Sequence, residues 1–379
     1  MNLDTKRCWA EISLSNLDWN YRHLRALAPH SRFAGLVKAN AYGHGAVPVA
    51  RRLEALGADY LLVACLSEAL ELREAGITAP ILILGYTEVS DTPLLLEYGI
   101  TQTLYDPEQA RKCSEAALAA GGRLRCHLKA DTGMSRLGIL CREEGVEEAA
   151  DTLAEMYHLP GIEPEGLFMH FADADTCPEY SRMQIGRFNA LLEALERRGC
   201  TFALRHCCAG AATLNYPEVH YDMIRPGILL YGYAPDPSCE GVADVRPVME
   251  VKARIASVKR LPRGTCISYG RTYTLERDSV VAAVTMGYAD GLPRLLSGRF
   301  SFLWKGKTLP QIGRVCMDMC MADATDLPGL KVGDEVTLFG GEGQLNALAE
   351  KAGTIPYELL CGISPRVPRI GSEAIGSSD

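Results

Sequence analysis

Long apolar runs are missing from this sequence. No window approaches the roughly 18 uninterrupted apolar residues of a membrane-spanning helix, and the opening residues MNLDTKRCWAEISLS carry no apolar core of the signal-peptide type. Basic clusters that could follow a phosphate backbone are missing as well, because 39 lysines and arginines are scattered among 47 acidic residues, for a net charge of −8. We therefore expect a soluble, cytoplasmic protein with neither a membrane nor nucleic acid as a partner.

Clustered metal ligands are also scarce. The chain has only eight histidines, and Cys316 and Cys320 have three intervening residues rather than two and no second cysteine pair nearby. No metal is therefore expected, and a metal-dependent barrel hydrolase, which would need histidines and carboxylates grouped at strand tips, is disfavoured. The 14 cysteines occur in apolar runs such as residues 62–66. This placement indicates reduced, mostly buried thiols rather than a disulfide framework.

The residues up to about 235 repeat one alternation, in which a short apolar run ends in a polar or glycine-rich loop and an amphipathic stretch follows. This alternation is typical of βα units, and Asp106-Pro107 predicts the start of one helix that ends before Gly121. Eight parallel strands with helices outside them predict an α/β fold, a (β/α)8 barrel of the TIM type, with chemistry at the carboxyl ends of the strands. The candidate strands are 34–37, 60–64, 81–84, 101–105, 124–129, 166–170, 202–206 and 223–230.

A different pattern follows Gly232, where β-branched residues alternate with polar ones. Because 379 residues with 47% hydrophobic content can bury more than one core, we expect an N-terminal barrel at 1–235 and a C-terminal, mainly β domain at 236–379. The turn-forming stretch 234–238 marks the boundary. The candidate strands of the second domain are 248–258, 279–286, 301–305 and 335–339, and its one clear helix is 345–352.

Lys38 directly follows the first candidate strand, in the segment GLVKANAYGHG at residues 35–45. Its amine should point into the mouth of the barrel. Most lysines are solvated surface charges, but burial at this position would lower the pKa of the amine and suit it to Schiff-base chemistry. From the residues alone, both a surface lysine and a catalytic lysine stay open.

The segment VKANAYGHG closely resembles the cofactor-lysine motif of the alanine racemase family. Further segments match in the family's order, from WAEI at residues 9–12 to RVPR at residues 366–369, so the resemblance covers nearly the whole chain. It implies a barrel of the type III pyridoxal-phosphate fold, in which Lys38 holds pyridoxal 5'-phosphate, and a C-terminal β domain with which residues 1–12 pair. It also implies a homodimer whose active sites are shared between subunits.

Racemisation of an amino acid needs a proton donor and acceptor on each face of Cα, and an electron sink such as pyridoxal phosphate to make the Cα proton removable. The resemblance implies that Lys38 serves one face and that Tyr269 serves the other from the partner subunit. A tyrosine, with an ordinary pKa of about 10, needs nearby positive charge or donors to act as a base. The family uses His170 and Arg225 in a network behind Tyr269. Without the resemblance, a histidine or tyrosine at a strand end would more often have a structural role.

The resemblance also assigns residues that hold the cofactor. Arg225 would donate a hydrogen bond to the pyridine nitrogen, which should stay unprotonated because an arginine does not readily give up a proton. Outside the resemblance it would be an ordinary salt-bridged arginine. Tyr42 and the loop amides near Gly227 and Ile228 would hold the phosphate, since backbone donors beside glycines suit an oxyanion. Gly210 would contribute its backbone amide.

Substrate contacts follow from three further segments that match the family. In LKADTGMSRLG, at residues 128–138, Arg136 would bind the substrate carboxylate with its planar fork of donors. Lys129 is carboxylated in some family members, where the added negative charge orients this arginine. From the other subunit, the Met317 amide and the Asp318 region would lie near the same carboxylate, and Tyr288 would narrow access to small amino acids.

Two positions depart from the family pattern. Ala209-Gly210 stands where the family usually has Asn-Ser, so the serine hydroxyl that binds phosphate is absent and one phosphate contact should be lost. Pro365 stands where many relatives carry a tyrosine, and a proline supplies neither hydroxyl nor N–H. We expect alanine as the substrate, with D-alanine supplied to cell-wall peptidoglycan. A serine racemase, or a broad-specificity racemase of small amino acids, is the alternative, because a small pocket distinguishes methyl from hydroxymethyl only modestly.

Two rival classes share parts of this pattern. Non-catalytic cofactor-binding proteins resemble the barrel alone, whereas this chain carries a second domain and the Tyr269 motif. Decarboxylases that share the barrel and a β domain break a different bond at Cα, and Tyr269, Arg136 and Arg225 together match the racemase pattern. The sequence therefore predicts an amino-acid racemase, which is an isomerase.

Overall fold

The structure is a computed structural model that describes residues 7–239, 241–340 and 344–372. Two compact units make up this part of the chain. The barrel unit consists of Asp18–Ala41 and Ala46–Val245, and the β unit contains Tyr42–Gly45 with the described residues before 18 and after 245. The first strand, β1 (Cys8–Ser13), belongs to the β unit. Residues 1–6 of the N-terminal segment that we expect to pair with the second domain lie outside the described residues.

Nine parallel strands form the sheet of the barrel unit within the described residues, eight in one continuous order and one short strand paired at its side. Their side chains are largely buried, which is typical of a parallel sheet covered on both faces. The strands are β2 (Arg32–Leu36), β3 (Tyr60–Val63), β4 (Ile81–Ile83), β5 (Ile100–Leu104), β6 (Leu124–Asp131), β8 (Ile162–Phe168), β9 (Leu204–His206) and β10 (Met223–Ile224), and β7 (Ile139–Leu140) pairs with β6.

The sheet closes into a barrel where β9 meets β10. Ala209 and Arg225, just beyond the ends of these strands, form a parallel bridge. The amides of Asp222 and Arg225 donate to the carbonyls of Arg205 and Cys208 at 3.0 and 2.9 Å. On its other side, β10 pairs in parallel with β2. The predicted (β/α)8 barrel is therefore confirmed, and the carboxyl ends of its strands share one mouth.

The eighth strand is shorter than the predicted 223–230. It ends at Ile224, and a 3-10 helix follows at Gly227–Tyr231. Pro226 lacks the N–H that a strand ladder needs, and Gly227 takes a left-handed φ of 61°. These two residues stop the strand although the apolar run continues.

Helices connect the strands of the barrel unit. They are α1 (Leu14–Leu27), which begins in the β unit, α2 (Lys38–Tyr42), a left-handed turn whose last residue belongs to the β unit, α3 (Ala46–Ala55), α4 (Leu66–Glu74), α5 (Thr92–Glu97), α6 (Pro107–Ala119), α7 (Val146–Tyr157), α8 (Pro178–Arg197) and α9 (Ala211–Asn215). The longer ones are amphipathic, as in α3, where Ala46, Val49, Ala50 and Leu53 form one buried face. Asp106 caps α6 by accepting from the Gln109 amide, which confirms the predicted start of this helix.

The β unit is built on an eight-stranded sheet in the order β14-β17-β16-β15-β18-β11-β1-β19, within the described residues. Its later strands are β11 (Met249–Leu261), β14 (Ser279–Val284), β15 (Ser301–Trp304), β16 (Lys307–Ile312), β17 (Cys320–Asp323), β18 (Glu335–Phe339) and β19 (Arg369–Ser372), and β12 (Cys266–Ile267) and β13 (Tyr273–Thr274) form a separate hairpin. The four strands predicted here correspond to β11, β14, β15 and β18, so a mainly β second region is confirmed.

The N-terminal strand β1 lies inside this sheet. It runs antiparallel to β11, with Cys8 opposite Ala253, and parallel to β19, with Ala10 opposite Arg369. At the other boundary, the barrel unit extends to Val245, beyond the division that we placed at 235. One reason is that the Trp19 indole donates to the Asp244 carbonyl at 3.0 Å, which ties this stretch to α1.

Two helices follow β18, where we expected one. The predicted helix 345–352 is present as α10 (Gln344–Ala352), and α11 (Pro356–Cys361) is additional. The second helix has only six residues and starts with proline, so its pattern is too short to show a helical period. Nowhere in the described part of the chain is a helix both long and apolar enough to cross a membrane.

Candidate active site

A cavity of about 240 Å³ lies at the carboxyl ends of the barrel strands. Its walls come from residues at or just beyond the ends of β2, β3, β4, β6, β8, β9 and β10. Five predicted site residues line it, namely Lys38, Lys129, Arg136, His170 and Arg225, together with the apolar side chains of Leu36, Leu84, Leu137 and Phe168. Two lysines and two arginines around one small cavity suit an anionic ligand.

Lys38 begins a left-handed turn, two residues after β2. Ala39, Asn40 and Ala41 take φ values of 52°, 54° and 54°, and Tyr42 follows with 51°. This conformation costs about 1–2 kcal/mol for each non-glycine residue, so the run of four stores strain on the order of 4–8 kcal/mol. Such strain persists only where the surroundings impose it, and it concentrates at functional sites.

Local hydrogen bonds hold the turn. The Ala41 amide donates to the Val37 carbonyl at 2.8 Å, and the Asn40 side-chain oxygen accepts from the Ala46 amide at 2.7 Å, at the start of α3. The Ala39 amide donates to the Glu68 carboxylate at 2.6 Å. The backbone that carries the Lys38 side chain is therefore fixed by contacts on both sides.

Arg225 is buried in the barrel, with 3% of its surface exposed. Its Nη2 donates to the carbonyls of Met169 and Cys207 at 3.1 and 2.8 Å, but its buried Nε has no hydrogen-bond partner among the described residues. Burial lowers the pKa of Arg225 to about 10, so the charge persists at neutral pH. A buried cation with an unused donor is costly unless an acceptor from a ligand completes it.

Lys129 and His170 lie close to the positive charge of Arg225. The Lys129 amine and the Arg225 guanidinium each stand 5.2 Å from the centroid of the Phe168 ring. Burial, reinforced by the charges of Arg225 and Arg136, lowers the pKa of Lys129 to about 7. Burial and the same cations hold the pKa of His170 well below its ordinary value, so this histidine is neutral at physiological pH.

A chain of polar side chains crosses the barrel interior. Tyr60 donates to a carboxylate oxygen of Glu165 at 2.6 Å, and His127 Nε2 donates to the same oxygen at 3.2 Å. The other nitrogen of His127 then accepts from His206 Nε2 at 2.9 Å. The remaining His206 nitrogen is buried without a partner among the described residues, and the His206 ring stacks on Phe168 at 4.7 Å. The sequence does not predict this series of hydrogen-bonded side chains, because its members come from separate strands and share no local pattern.

Arg136 lies in the loop between β6 and β7 and is exposed. Asp131, at the end of β6, accepts from the amides of Gly133 and Ser135 at 3.0 and 2.9 Å. Tyr180 donates to the Gly133 carbonyl at 2.8 Å. The backbone is therefore held directly before Arg136.

The residues that we expect to hold a phosphate fall at turns. Gly210 and Gly227 take positive φ values of 42° and 61°, and Gly227 and Ile228 begin a 3-10 helix. Gly210 directly follows Ala209, which lines the cavity. These positions bring backbone amides to the mouth of the barrel, at the ends of β9 and β10.

Tyr42 belongs to the β unit, where burial raises its pKa and its ring lies 6.0 Å from the ring of Tyr357. The carbonyl of the next residue, Gly43, accepts from Arg369 Nε at 2.8 Å. A Cβ on Gly43 would overlap the Leu360 carbonyl oxygen, so only glycine fits here. The segment after the left-handed turn is therefore tightly packed into the β unit.

Tyr269 is exposed, at 71% of its surface. Its neighbours Ser268, Gly270 and Arg271 take positive φ values of 67°, 73° and 52°. The Ser268 hydroxyl donates to the Arg314 carbonyl at 2.7 Å, which anchors the loop. A tightly turned, anchored loop thus presents the Tyr269 ring to solvent instead of burying it.

Tyr288, Met317 and Asp318 lie on two loops of the β unit that touch each other. All three are exposed. The Tyr288 amide donates to the Cys316 carbonyl at 3.0 Å. A Cβ on Gly287 would overlap the carbonyl oxygens of Cys316 and Met317, so the close approach of the loops requires glycine.

Asp290 ties these loops together through a fully buried side chain. Arg7 donates to both of its carboxylate oxygens at 2.5 and 2.7 Å, and Arg366 and the Gly287 amide donate at 2.7 and 2.8 Å. Both arginines also reach Asp318, Arg7 at its carbonyl and Arg366 at its carboxylate. Burial raises the pKa of Asp290, but these hydrogen bonds hold it below the ordinary value. Sequence analysis gave Asp290 no role, because Arg7 and Arg366 are 283 and 76 residues away along the chain.

The geometry defines a class of protein, namely a barrel enzyme with a cation-lined cavity at the carboxyl ends of its strands and a β unit that presents exposed aromatic loops. Among the described residues, no group of three or more histidine, cysteine or acidic side chains could hold a metal ion.

Comparison with known proteins identifies the family. The N-terminal domain of alanine racemase matches residues 12–235, and its C-terminal domain matches residues 248–371. An alanine racemase from Desulfovibrio desulfuricans is 45% identical, over 96% of this chain and 97% of the relative. The solved alanine racemase of Clostridium difficile 630 has a TM-score of 0.92 at 39% identity, covering 97% and 96% of the two chains. That of Bacillus anthracis, with bound L-Ala-P, has a TM-score of 0.89 at 34% identity, covering 97% and 95%. The chain belongs to the alanine racemase family of isomerases.

Proposed function

We propose that this protein is a pyridoxal-phosphate-dependent racemase that interconverts L- and D-alanine. The observation that carries the proposal is the convergence of Lys38, Arg136 and Arg225 on one cavity at the mouth of the barrel. An amine that can exchange protons, a fork of donors for a carboxylate and a buried cation are the groups that this reaction needs. D-Alanine made in this way would supply cell-wall peptidoglycan.

The residues around the cavity fit pyridoxal 5'-phosphate. The buried Nε–H of Arg225, without a partner among the described residues, suits an acceptor such as a pyridine nitrogen. The turns at Gly210 and at Gly227-Ile228 suit phosphate oxygens. Lys38 would hold the cofactor through its amine. When bound, the cofactor supplies the electron sink that makes the Cα proton of an amino acid removable.

Arg225 would keep the ring nitrogen unprotonated. Its pKa of about 10 lies well above neutral pH, so the guanidinium donates a hydrogen bond without releasing its proton. His170 is neutral beside it and adds no further positive charge.

Two bases would exchange protons at Cα. We assign one face to the Lys38 amine and the opposite face to the phenol of Tyr269 of the partner subunit. The 71% exposure of Tyr269 in the single chain supports this assignment, since a large aromatic ring on an anchored loop suits a contact with another chain. The cations around the cavity would favour the phenolate form of a tyrosine placed there.

Arg136 would bind the substrate carboxylate, opposite the Met317 amide and the Asp318 region of the partner subunit. Tyr288 of the partner subunit would narrow the access to small amino acids. Lys129, with a pKa of about 7, carries a neutral amine in much of the population at pH 7–8. A neutral amine can add CO₂ and release a proton, and the resulting carbamate would place a negative charge beside Arg136.

Alanine is the proposed substrate and serine is the competitor. Pro365 is exposed and offers no hydroxyl or N–H to a ligand. Because proline makes no such contact, this position would leave room for the hydroxymethyl group of serine. We therefore expect kcat/KM for alanine to exceed that for serine by only about 10–200-fold.

The test is racemisation of L-alanine and L-serine by purified protein with added pyridoxal phosphate, followed by chiral chromatography. Lys38→Ala and Tyr269→Phe should each lower the rate by about 10²–10⁴-fold, as expected for loss of an acid–base group. Lys112→Ala, on the surface of α6, and Tyr273→Phe, four residues after Tyr269, serve as matched controls and should retain activity. If the cofactor binds and neither amino acid changes hand, the proposal fails and another substrate or a binding role replaces it.

Shared active sites can be tested by mixing the two inactive variants. A heterodimer of Lys38→Ala and Tyr269→Phe subunits has one site with both bases and one site with neither. Random exchange of subunits should therefore restore about a quarter of the wild-type activity if each site takes one base from each chain. If both bases of a site come from one chain, mixing restores nothing.

A further inference from the structure

Glu68 connects two loops at the mouth of the barrel. One carboxylate oxygen accepts from the Ala39 amide at 2.6 Å, and the other accepts from the Ala64 amide at 2.7 Å. Ala39 directly follows Lys38 after β2, and Ala64 lines the cavity after β3. One side chain therefore bridges the first two loops of the barrel.

Only one of these contacts serves the helix that carries Glu68. The side chain stands in the first turn of α4, and the contact with Ala64 closes that turn four residues upstream. Ala39 is 29 residues away along the chain and lies outside α4. This contact instead holds the first residue of the turn that takes left-handed backbone angles.

The strained turn needs such a contact. Ala39, Asn40 and Ala41 are held in a left-handed conformation without any glycine, and a chain released from its anchors would relax toward ordinary backbone angles. Relaxation at Ala39 would rotate the peptide that joins it to Lys38. The position of the Lys38 amine therefore depends on the anchor at Ala39.

We propose that Glu68 is a positioning residue for Lys38, which it places by holding the Ala39 amide in the left-handed turn. This inference rests on the proposed role of Lys38 as a base. Glu68 lies outside the catalytic groups, and it acts through the backbone. Misplacement of a reacting group by about 1 Å can cost roughly 10²-fold in rate.

The test combines kinetics with hydrogen–deuterium exchange. Glu68→Ala removes both acceptors, and Glu68→Gln keeps one oxygen acceptor but turns an NH₂ group toward the second amide. Glu71→Ala and Glu71→Gln make the same changes on the exposed face of α4. Exchange is measured at residues 38–45 in protein stripped of pyridoxal phosphate, so this readout does not depend on activity.

In Glu68→Ala we expect kcat to fall by about 10–100-fold with KM nearly unchanged. Exchange at residues 38–45 should rise by at least about tenfold, while the rest of the barrel is unchanged. Glu68→Gln should fall between Glu68→Ala and wild type, and both Glu71 variants should match wild type.

Three results would overturn the inference. The first is unchanged hydrogen–deuterium exchange at residues 38–45 in Glu68→Ala. The second is a rise in exchange throughout the barrel of this variant, which would indicate a general structural role. The third is a wild-type kcat in Glu68→Ala although exchange at residues 38–45 is faster. Failure of the proposed function is a separate result, because it would leave wild type without racemase activity while the exchange data still report on the anchor.

Discussion

Replacing Asp290 by asparagine should destabilise the β unit strongly. The carboxylate is fully buried and receives hydrogen bonds from Arg7, Arg366 and Gly287. Breaking a fully buried ion pair costs about 3–5 kcal/mol. Arg7 and Arg366 keep 34% and 40% of their side chains exposed, so water recovers part of this loss and we expect about 2–3 kcal/mol. With about 2–4 °C per kcal/mol, the melting temperature should fall by about 4–12 °C.

Asp326→Asn is the matched control. Asp326 pairs with Arg277 in the same unit, but the two side chains are 79% and 56% exposed, so its loss should lower the melting temperature far less than the loss of Asp290. The difference between the variants should depend on pH. Because the pKa of Asp290 is lowered in the folded state, its contribution is present above the ordinary value of about 3.9 and disappears as pH falls through the folded pKa. Equal melting shifts for both variants at pH 7 would refute the reasoning.

Two further predictions concern single substitutions, one in each unit. Lys129→Met should melt at a higher temperature than wild type at pH 6 in CO₂-free buffer, and this difference in melting temperature should shrink as pH rises toward 10. The reason is that a lysine whose pKa is lowered to about 7 destabilises the folded state most at pH values where the lysine of the unfolded chain is protonated. A difference in melting temperature that does not depend on pH would contradict this. Gly287→Ala should lower racemase activity at least about tenfold, because the added Cβ would overlap the carbonyl oxygens of Cys316 and Met317 and force apart the loops that carry Tyr288 and Met317. Wild-type kinetics in this variant would contradict the prediction, since they would show that the two loops adapt.

The sequence predicts the barrel well, because most of its strands contain a local apolar run bounded by turn formers. Six of the eight candidate strands appear with bounds within two residues of those predicted. The predicted strand 166–170 begins four residues earlier, at Ile162, and the eighth strand stops early at Pro226-Gly227. Five residues that line the cavity, namely Lys38, Lys129, Arg136, His170 and Arg225, were also predicted as site residues from local pattern and resemblance. Their roles in catalysis stay predictions.

Long-range contacts leave no such local signal. Asp290 and Glu68 look like ordinary acidic residues in the sequence, and their importance comes from partners brought close by the fold. The left-handed turn after Lys38 is hidden for a related reason, because Ala-Asn-Ala contains no glycine that would indicate positive φ. The histidine chain of the barrel interior combines residues from strands that are far apart in sequence.

The most direct test of the two-base account is the racemisation of L-alanine in deuterated water, with mass and chirality of both enantiomers followed in the first few per cent of conversion. If the Lys38 amine and the phenol of Tyr269 of the partner subunit work on opposite faces of Cα, the first D-alanine formed should carry deuterium at Cα, and the remaining L-alanine should still carry hydrogen. D-Alanine that retains the original Cα hydrogen would mean that a single base moves the proton between faces, and would contradict the account.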